Sequence, residues 1–364
     1  MNFLARQAKL RGHLATTRFD GLLIGHLPNI RYLCGFTGSA GFLLVEEGGS
    51  TFFSDVRYDT QAHEEVEGAK VVIAKKSVLE GIGAYLSKRR RRSRGWTIGI
   101  EAEHLTIAEK KRLAQSLPSF VKLKDAPALV ERARMVKDSD ELDLIRTAVR
   151  LGARLFDRAV EVIRPGVKET EVAGEMEFTA RKGGAEEMSF PTIIAAGARS
   201  ALPHGRASDH VIKPGGFVVC DFGVILSGYC SDQTRTVWVG DITKEGRQAY
   251  EAVREAQQAA VEVVKPGIRV GDVDAAARSV LKKAGLGRYF THSTGHGVGL
   301  EIHEGPRVAQ GQQEVLQPGM VITIEPGVYF PGKWGIRIED MVAVTAGGCE
   351  VLTPTSKDLL SVPS

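Results

Sequence analysis

The chain has few cysteines, no long apolar run and no large excess of one charge. Its four cysteines (Cys34, Cys220, Cys230 and Cys349) are scattered over 364 residues with no C-x-x-C pair. That spacing argues against a thiolate zinc site and a disulfide framework, and suits reduced thiols. The opening segment MNFLARQAKLRGHLA mixes charge with apolar residues. It resembles neither a signal peptide nor a transmembrane helix, so a cytoplasmic protein with no membrane partner is expected. The net charge is only +4, and KRRRRSR at 88–94 carries six positive charges, which leaves the rest of the chain at −2. No aromatic residue interleaves with that run; Tyr85 and Trp96 lie only to either side of it. It reads as a solvated helix end or loop, and nucleic acid is not an expected partner.

What is present is the balance of a globular protein, 43% hydrophobic and 25% charged, in a chain too long for one ordinary core. From residue 20 to about 125, short apolar segments bounded by Gly, Asp and Ser (DGLLIG, GFLLVEEGG, STFFSD, AKVVIA, WTIGIE) predict strands, with LTIAEKKRLAQSL a helix between later ones. This is an α/β layer domain, assigned to residues 1–130, and residues 131–364 form a second domain. The second domain opens on a long helix, with Ser139 or Asp140 as N-cap and an i, i+3/i+4 apolar series through Leu142, Ile145, Val149 and Leu155.

An internal repeat organises that second domain. AVEVIRPGVKETEVAGEMEFTARKGG starts at Ala159 and AVEVVKPGIRVGDVDAAARSVLKKAG at Ala260, 101 residues later, each reading as helix end, Pro-Gly turn and helix. A single duplication predicts a pseudo-twofold domain with a site at the seam of its halves. A β-rich hairpin follows each copy. In the first, Asp221 and Asp232 lie symmetrically about the turn LSG; in the second, Glu325 and Glu339 lie symmetrically about Gly332. Antiparallel pairing in those registers sets each pair face to face. Four carboxylates buried in apolar strand repel one another unless cations sit among them.

HSTGHGVGLEIHEGP, residues 292–306, offers His296 as the nitrogen ligand to complete such a set. One histidine with four carboxylates is an oxygen-rich donor set that favours manganese, with cobalt, iron or zinc as alternatives. Two divalent ions about 3.5 Å apart, bridged by carboxylates, are the usual hydrolytic arrangement.

In order, Asp221, Asp232, His296, Glu325 and Glu339 resemble the ligands of the dinuclear metallopeptidases of the pita-bread fold, the family of methionine aminopeptidase, prolidase and Xaa-Pro aminopeptidase. NIRYLCGFTGSAGFLLV and FFSDVRYDTQA are similar to the small creatinase-like domain that precedes the catalytic one in the proline-specific members. The resemblance therefore covers nearly the whole chain. It implies an α+β protein: a pita-bread catalytic domain with an internal pseudo-twofold repeat, behind a smaller α/β domain.

The resemblance also implies roles. Asp221 would bind one metal, His296 and Glu325 the other, and Asp232 and Glu339 would bridge them. Glu325 would also pass protons as general base and then acid. His204, in Pro203-His204-Gly205, would contact substrate and help protonate the leaving group; His303 would steady the carbonyl oxygen as it becomes anionic. His292 would line the pocket, Tyr329 would be a pocket aromatic, and Arg337 would support the metal-site carboxylates. Arg307 matches an arginine that pairs with a substrate C-terminal carboxylate in prolidase-like members, which suits dipeptides. GFTGSAG and the short first domain look as much like bacterial Xaa-Pro aminopeptidases. The expectation is an Xaa-Pro aminopeptidase acting on proline-containing peptides, with a dipeptidase as the alternative and a catalytically silent peptide-binding or chaperone-like relative as the different class. A homodimer is implied by the resemblance alone.

Overall fold

The computed structural model describes residues 1–89 and 95–364. Residues 90–94 of the basic run lie outside the described residues, so its expected solvated character is followed only at Lys88 and Arg89; Arg89 pairs with Glu46. The chain divides into two compact units, Met1–Arg134 and Met135–Ser364. Among the described residues no helix is long and apolar enough to cross a membrane.

In the first unit a six-stranded sheet runs in the order Lys70–Ala74, Gly49–Asp55, Phe42–Glu46, Gly21–Ile24, Trp96–Glu101, Val121–Ala126. Leu23, Leu44, Phe53 and Ile98 from this sheet pack with Ile82, Leu86 and Leu113 from the helices Val78–Ser87 and Ile107–Ser116. The edge strand Val121–Ala126 gave no clear signal in sequence, because VKLKDA dilutes its apolar positions with lysines, as edge strands do.

The second unit is built twice. The helix pair Ser139–Val162 and Glu169–Lys182 is answered by Lys244–Val263 and Val270–Lys283, so three of the four helix limits recur at an offset of 101 residues. The connecting turns place Gly166 and Gly267 at φ 92° and 86°, a conformation that costs glycine nothing. The first helix is capped one residue earlier than its sequence suggests: Asp138 accepts from the Glu141 amide and Glu141 closes the capping box. Each helix pair buries its apolar face on its own strands. Leu155, Phe156 and Met176 meet Cys220, Phe222 and Val237; Tyr250, Val253 and Leu281 meet Ile322, Ile324 and Ile336.

The second hairpin has the register read from sequence. Ile324 pairs with Asp340 and Gly327 with Arg337, which leaves Glu325 and Glu339 across from each other at the break between outer and inner pairs. The first hairpin does not. Its tip is the two-residue turn Ser227-Gly228, both at positive φ (50° and 83°), and Leu226 pairs with Tyr229. That moves the axis one residue along, so Asp221 faces Thr234 and Asp232 sits just ahead of the strand Gln233–Val239. The expectation that Asp221 and Asp232 are directly opposed is corrected to a diagonal relation, two residues off but on the same face of the ladder.

Hydrogen bonds join the two hairpins side by side. Thr236 Oγ1 donates to the Arg337 carbonyl at 2.8 Å, the Glu339 amide donates to the Thr234 carbonyl at 3.1 Å, and Arg235 donates to the Glu339 carbonyl at 2.5 Å and to Asp340 Oδ1 at 2.7 Å. The terminal strand Ser361–Val362 then returns to pair in parallel with Trp238 and Val239.

Candidate metal centre

The seam of the two halves is where the acids converge. Asp221 comes from the fully buried strand Gly216–Phe222, Asp232 from the step before Gln233–Val239, Glu325 and Glu339 from the two breaks of the second hairpin, and His296 from the short strand Gly295–Gly297. The glycines beside His296 answer a steric need. A Cβ on Gly295 would strike the Thr323 carbonyl and one on Gly297 the Gly305 carbonyl, so only glycine lets this strand lie against its neighbours.

Donor atoms of Asp232, His296 and Glu339 all lie within 4.8 Å of one another. His296 Nε2 is 3.6 Å from Asp232 Oδ2 and 3.5 Å from Glu325 Oε1. Its other ring nitrogen, Nδ1, lies 3.0 Å from the Gly297 carbonyl, which assigns the proton to Nδ1 and leaves the Nε2 lone pair facing the carboxylates. Burial, with help from His303, pulls the His296 pKa down to about 4, so the ring is neutral and able to ligate.

The carboxylates show the opposite strain. Burial, reinforced by Glu339, Asp221 and Glu325, raises the Asp232 pKa well above the usual range; burial, then Glu325 and Asp221, does the same to Glu339. Glu325 is pushed up to about 7, chiefly by burial. Asp221 Oδ2 accepts from Arg337 Nη2, while Asp221 Oδ1 is buried with no hydrogen-bond partner. A crowded set of acids, an orphaned carboxylate oxygen and a histidine with an inward lone pair are what a divalent cation would satisfy.

The other predicted residues gather around a cavity of about 580 Å³ that contains all five of these side chains. His204, His292, His303, Arg307 and Arg337 line it as well. The rings of His296 and His303 meet edge to face at 4.4 Å. Tyr329 was expected as a pocket aromatic, but it sits behind the wall. Its hydroxyl, held protonated by burial that lifts its pKa to about 12, donates to His292 Nε2 at 2.9 Å and accepts from Arg337 Nη1 at 2.6 Å. His292 Nδ1 is 2.8 Å from the Ser293 carbonyl, so both of its ring nitrogens are committed within the protein.

Supporting residues escaped the sequence reading. Buried Asp274 accepts from Thr294 Oγ1 at 2.7 Å, Arg278 donates to the His292 carbonyl at 2.5 Å, and the Thr294 carbonyl receives the Glu325 amide at 2.7 Å, so one helix steadies both His292 and Glu325. Lys137 pairs at 3.3 Å with Glu304, both side chains almost wholly buried, beside His303. Arg206 lines the cavity too. Its place two residues after His204 was the one available signal; Lys137, more than 150 residues from its partner, offered none.

Comparison with known proteins decides the family. The model for metallopeptidase family M24 matches residues 143–346. The chain belongs to metallopeptidase family M24. Its first unit is matched over residues 6–136 by the creatinase/prolidase N-terminal domain. Similar M24 chains include the Xaa-Pro dipeptidase of Pyrococcus horikoshii, 39% identical over 348 residues, which span 94% of each chain. Among solved structures, the Xaa-Pro dipeptidase from Bacillus anthracis superposes with a TM-score of 0.94 at 37% identity, covering 99% of this chain and 100% of that one. X-Pro aminopeptidase from Thermotoga maritima superposes with a TM-score of 0.89 at 35% identity, covering 98% and 100%. The protein is thus a hydrolase of the M24 metallopeptidase type, with an α+β pita-bread domain preceded in sequence by a creatinase-type N-terminal domain.

Proposed function

We propose that this M24 hydrolase is an Xaa-Pro dipeptidase that uses two divalent metal ions, manganese for preference. The observation that carries the reading is the convergence of Asp232, His296 and Glu339 with Asp221 and Glu325 in one cavity whose lining also includes Arg307. Relatives named as Xaa-Pro dipeptidases favour this reading over the aminopeptidase expected from sequence. The intact ligand set counts against a silent binding protein.

In this reading Asp221, Asp232, His296, Glu325 and Glu339 hold the ions, which when bound acidify water and polarise the scissile carbonyl. Arg337 holds one oxygen of Asp221 and leaves the other for the ion. Glu325 takes a proton from the attacking water and returns it toward the proline nitrogen as the C–N bond breaks. His303 donates to the carbonyl oxygen as negative charge builds there, and His204 steadies the leaving group. Phe190, Pro191 and Ile302 give an apolar wall for a pyrrolidine ring, and Arg307 receives the terminal carboxylate.

The test is a panel of Xaa-Pro di-, tri- and longer peptides offered to metal-free protein with manganese added back. Manganese-dependent cleavage of the dipeptides, faster than of longer peptides, is expected. Glu325→Gln should lower turnover by about 10²- to 10⁴-fold without loss of the folded state. A folded, active Glu325→Gln protein, or preference for the longer peptides, would count decisively against the reading.

A further inference from the structure

Three arginines line the cavity, and they are not alike. Arg337 is buried and fully engaged, donating to Asp221, Tyr329, Thr234 and the Pro203 carbonyl. The guanidinium groups of Arg206 and Arg307 have no hydrogen-bond or ionic partner among the described residues, and both side chains are exposed. Among the described residues, none of the acids that line the cavity lies within ion-pair distance of either guanidinium. Glu304 is paired with Lys137 and Asp221 with Arg337, while Asp232, Glu325 and Glu339 crowd round His296. Two cations therefore remain for something that enters the cavity.

Arg206 also has a fixed base. Its amide donates to the His204 carbonyl at 3.0 Å, and its own carbonyl accepts from Arg199 Nη2 at 2.7 Å. Arg199 is anchored in turn at 3.0 Å to the fully buried carboxylate of Glu169. The backbone is held while the charged head stays free, so a ligand need order only the side chain.

We infer that Arg206 is a specificity-determining residue which, together with Arg307, binds the C-terminal carboxylate of a dipeptide substrate. The inference rests on the dipeptidase reading above. A carboxylate offers about four lone-pair sites and can accept from two guanidinium groups at once. One further residue on the substrate replaces that carboxylate with a neutral amide and carries the charge roughly 3.5 Å outward. The pair of arginines thus reads both charge and length.

The experiment compares Ala-Pro with Ala-Pro amide, using full-length manganese-loaded protein and the variants Arg206→Ala and Arg206→Lys. Arg206→Ala should raise KM for Ala-Pro about tenfold or more with kcat within about twofold, as removal of a charged hydrogen bond made in the ground state predicts. Ala-Pro amide should be unaffected. Arg206→Lys keeps the charge without the fork and should recover part of the loss. An unchanged KM for Ala-Pro, or an equal rise for both substrates, overturns the inference. Wild-type protein that cleaves Ala-Ala but no Xaa-Pro dipeptide would remove the Xaa-Pro reading alone, and the same comparison then runs on Ala-Ala and its amide with the same expectation. Cleavage of amides and longer peptides only would overturn the arginine role itself.

Discussion

A carbonyl 3.0 Å from Nδ1 decides what His296 can do, and a second carbonyl together with the Tyr329 hydroxyl decides what His292 cannot. The two rings lie four residues apart, and burial takes both to a pKa of about 4, yet only one keeps a lone pair for a ligand. The carboxylates titrate in the opposite sense, and this fixes a pH dependence for the metal-free protein. His292 and His296, usually at 6.5, are lowered in the fold, so their contribution to stability grows as pH rises and is complete above about 6.5. Glu325 is raised from 4.5 to about 7, so it stabilises the fold at low pH and that contribution is lost as pH rises through about 7; Asp232 and Glu339 are raised in the same direction. Above the histidine window only the carboxylates act. Thermal melts of metal-free protein should therefore show a falling midpoint from about pH 6.5 to about pH 8, and bound manganese should reduce that fall by neutralising the acids. A midpoint that rises over this interval would show that the acids do not repel one another as the geometry demands. The five acid and histidine positions were visible in the sequence because each interrupts an apolar or glycine-rich pattern. The supporting contacts were not, because Lys137 and Glu304 or Asp274 and Thr294 look like ordinary surface residues until the chain has folded.

Strands and turns determined which of those positions could be related before folding. Gly332 marks the centre of the second hairpin unambiguously, and Glu325 and Glu339 fall where that centre puts them. The first hairpin turns on Ser227-Gly228, and reading its centre one residue-half to either side is enough to change every partner. Its acids stayed on one face only because a shift of the pairing sum by two preserves the side each strand residue points to. Glycine tells the same story in the other direction. In the strand Gly295–Gly297 the absent side chains are required: Gly297→Ala would set a methyl against the Gly305 carbonyl. It should destabilise the protein by about 1–3 kcal/mol and weaken manganese binding. Gly174, in the helix Glu169–Lys182, has nothing near it, so Gly174→Ala should stabilise by about 0.5–1 kcal/mol with metal affinity unchanged. Chemical denaturation of the two variants, beside a manganese titration, checks both signs; a neutral Gly297→Ala would mean that the strand can move away.

On the scale of the whole molecule the repeat was the most legible feature, since Pro-Gly turns and helix limits recur at one spacing. How the halves meet was not legible, because the contacts of Thr234, Arg235 and Thr236 with residues 337–340 have no counterpart in any local pattern. Those contacts and the return of Ser361–Val362 to Trp238 and Val239 make the halves mutually dependent. Cutting the chain after the exposed residue Asp241 should give two fragments that bind manganese only when mixed. Calorimetric titration of each fragment and of the mixture tests this, and tight binding by either fragment alone would mean that one half carries a complete site.

The helix turns coincide at 101 residues, but the acids do not keep step: Asp221 and Asp232 are 11 positions apart, Glu325 and Glu339 are 14. The repeated scaffold therefore frames an unrepeated centre: the second half closes the longer hairpin, carries glutamates where the first carries aspartates, and adds His296. The two sides of the seam thus present unlike donors, so ions held there would sit in unequal surroundings although the helices around them match.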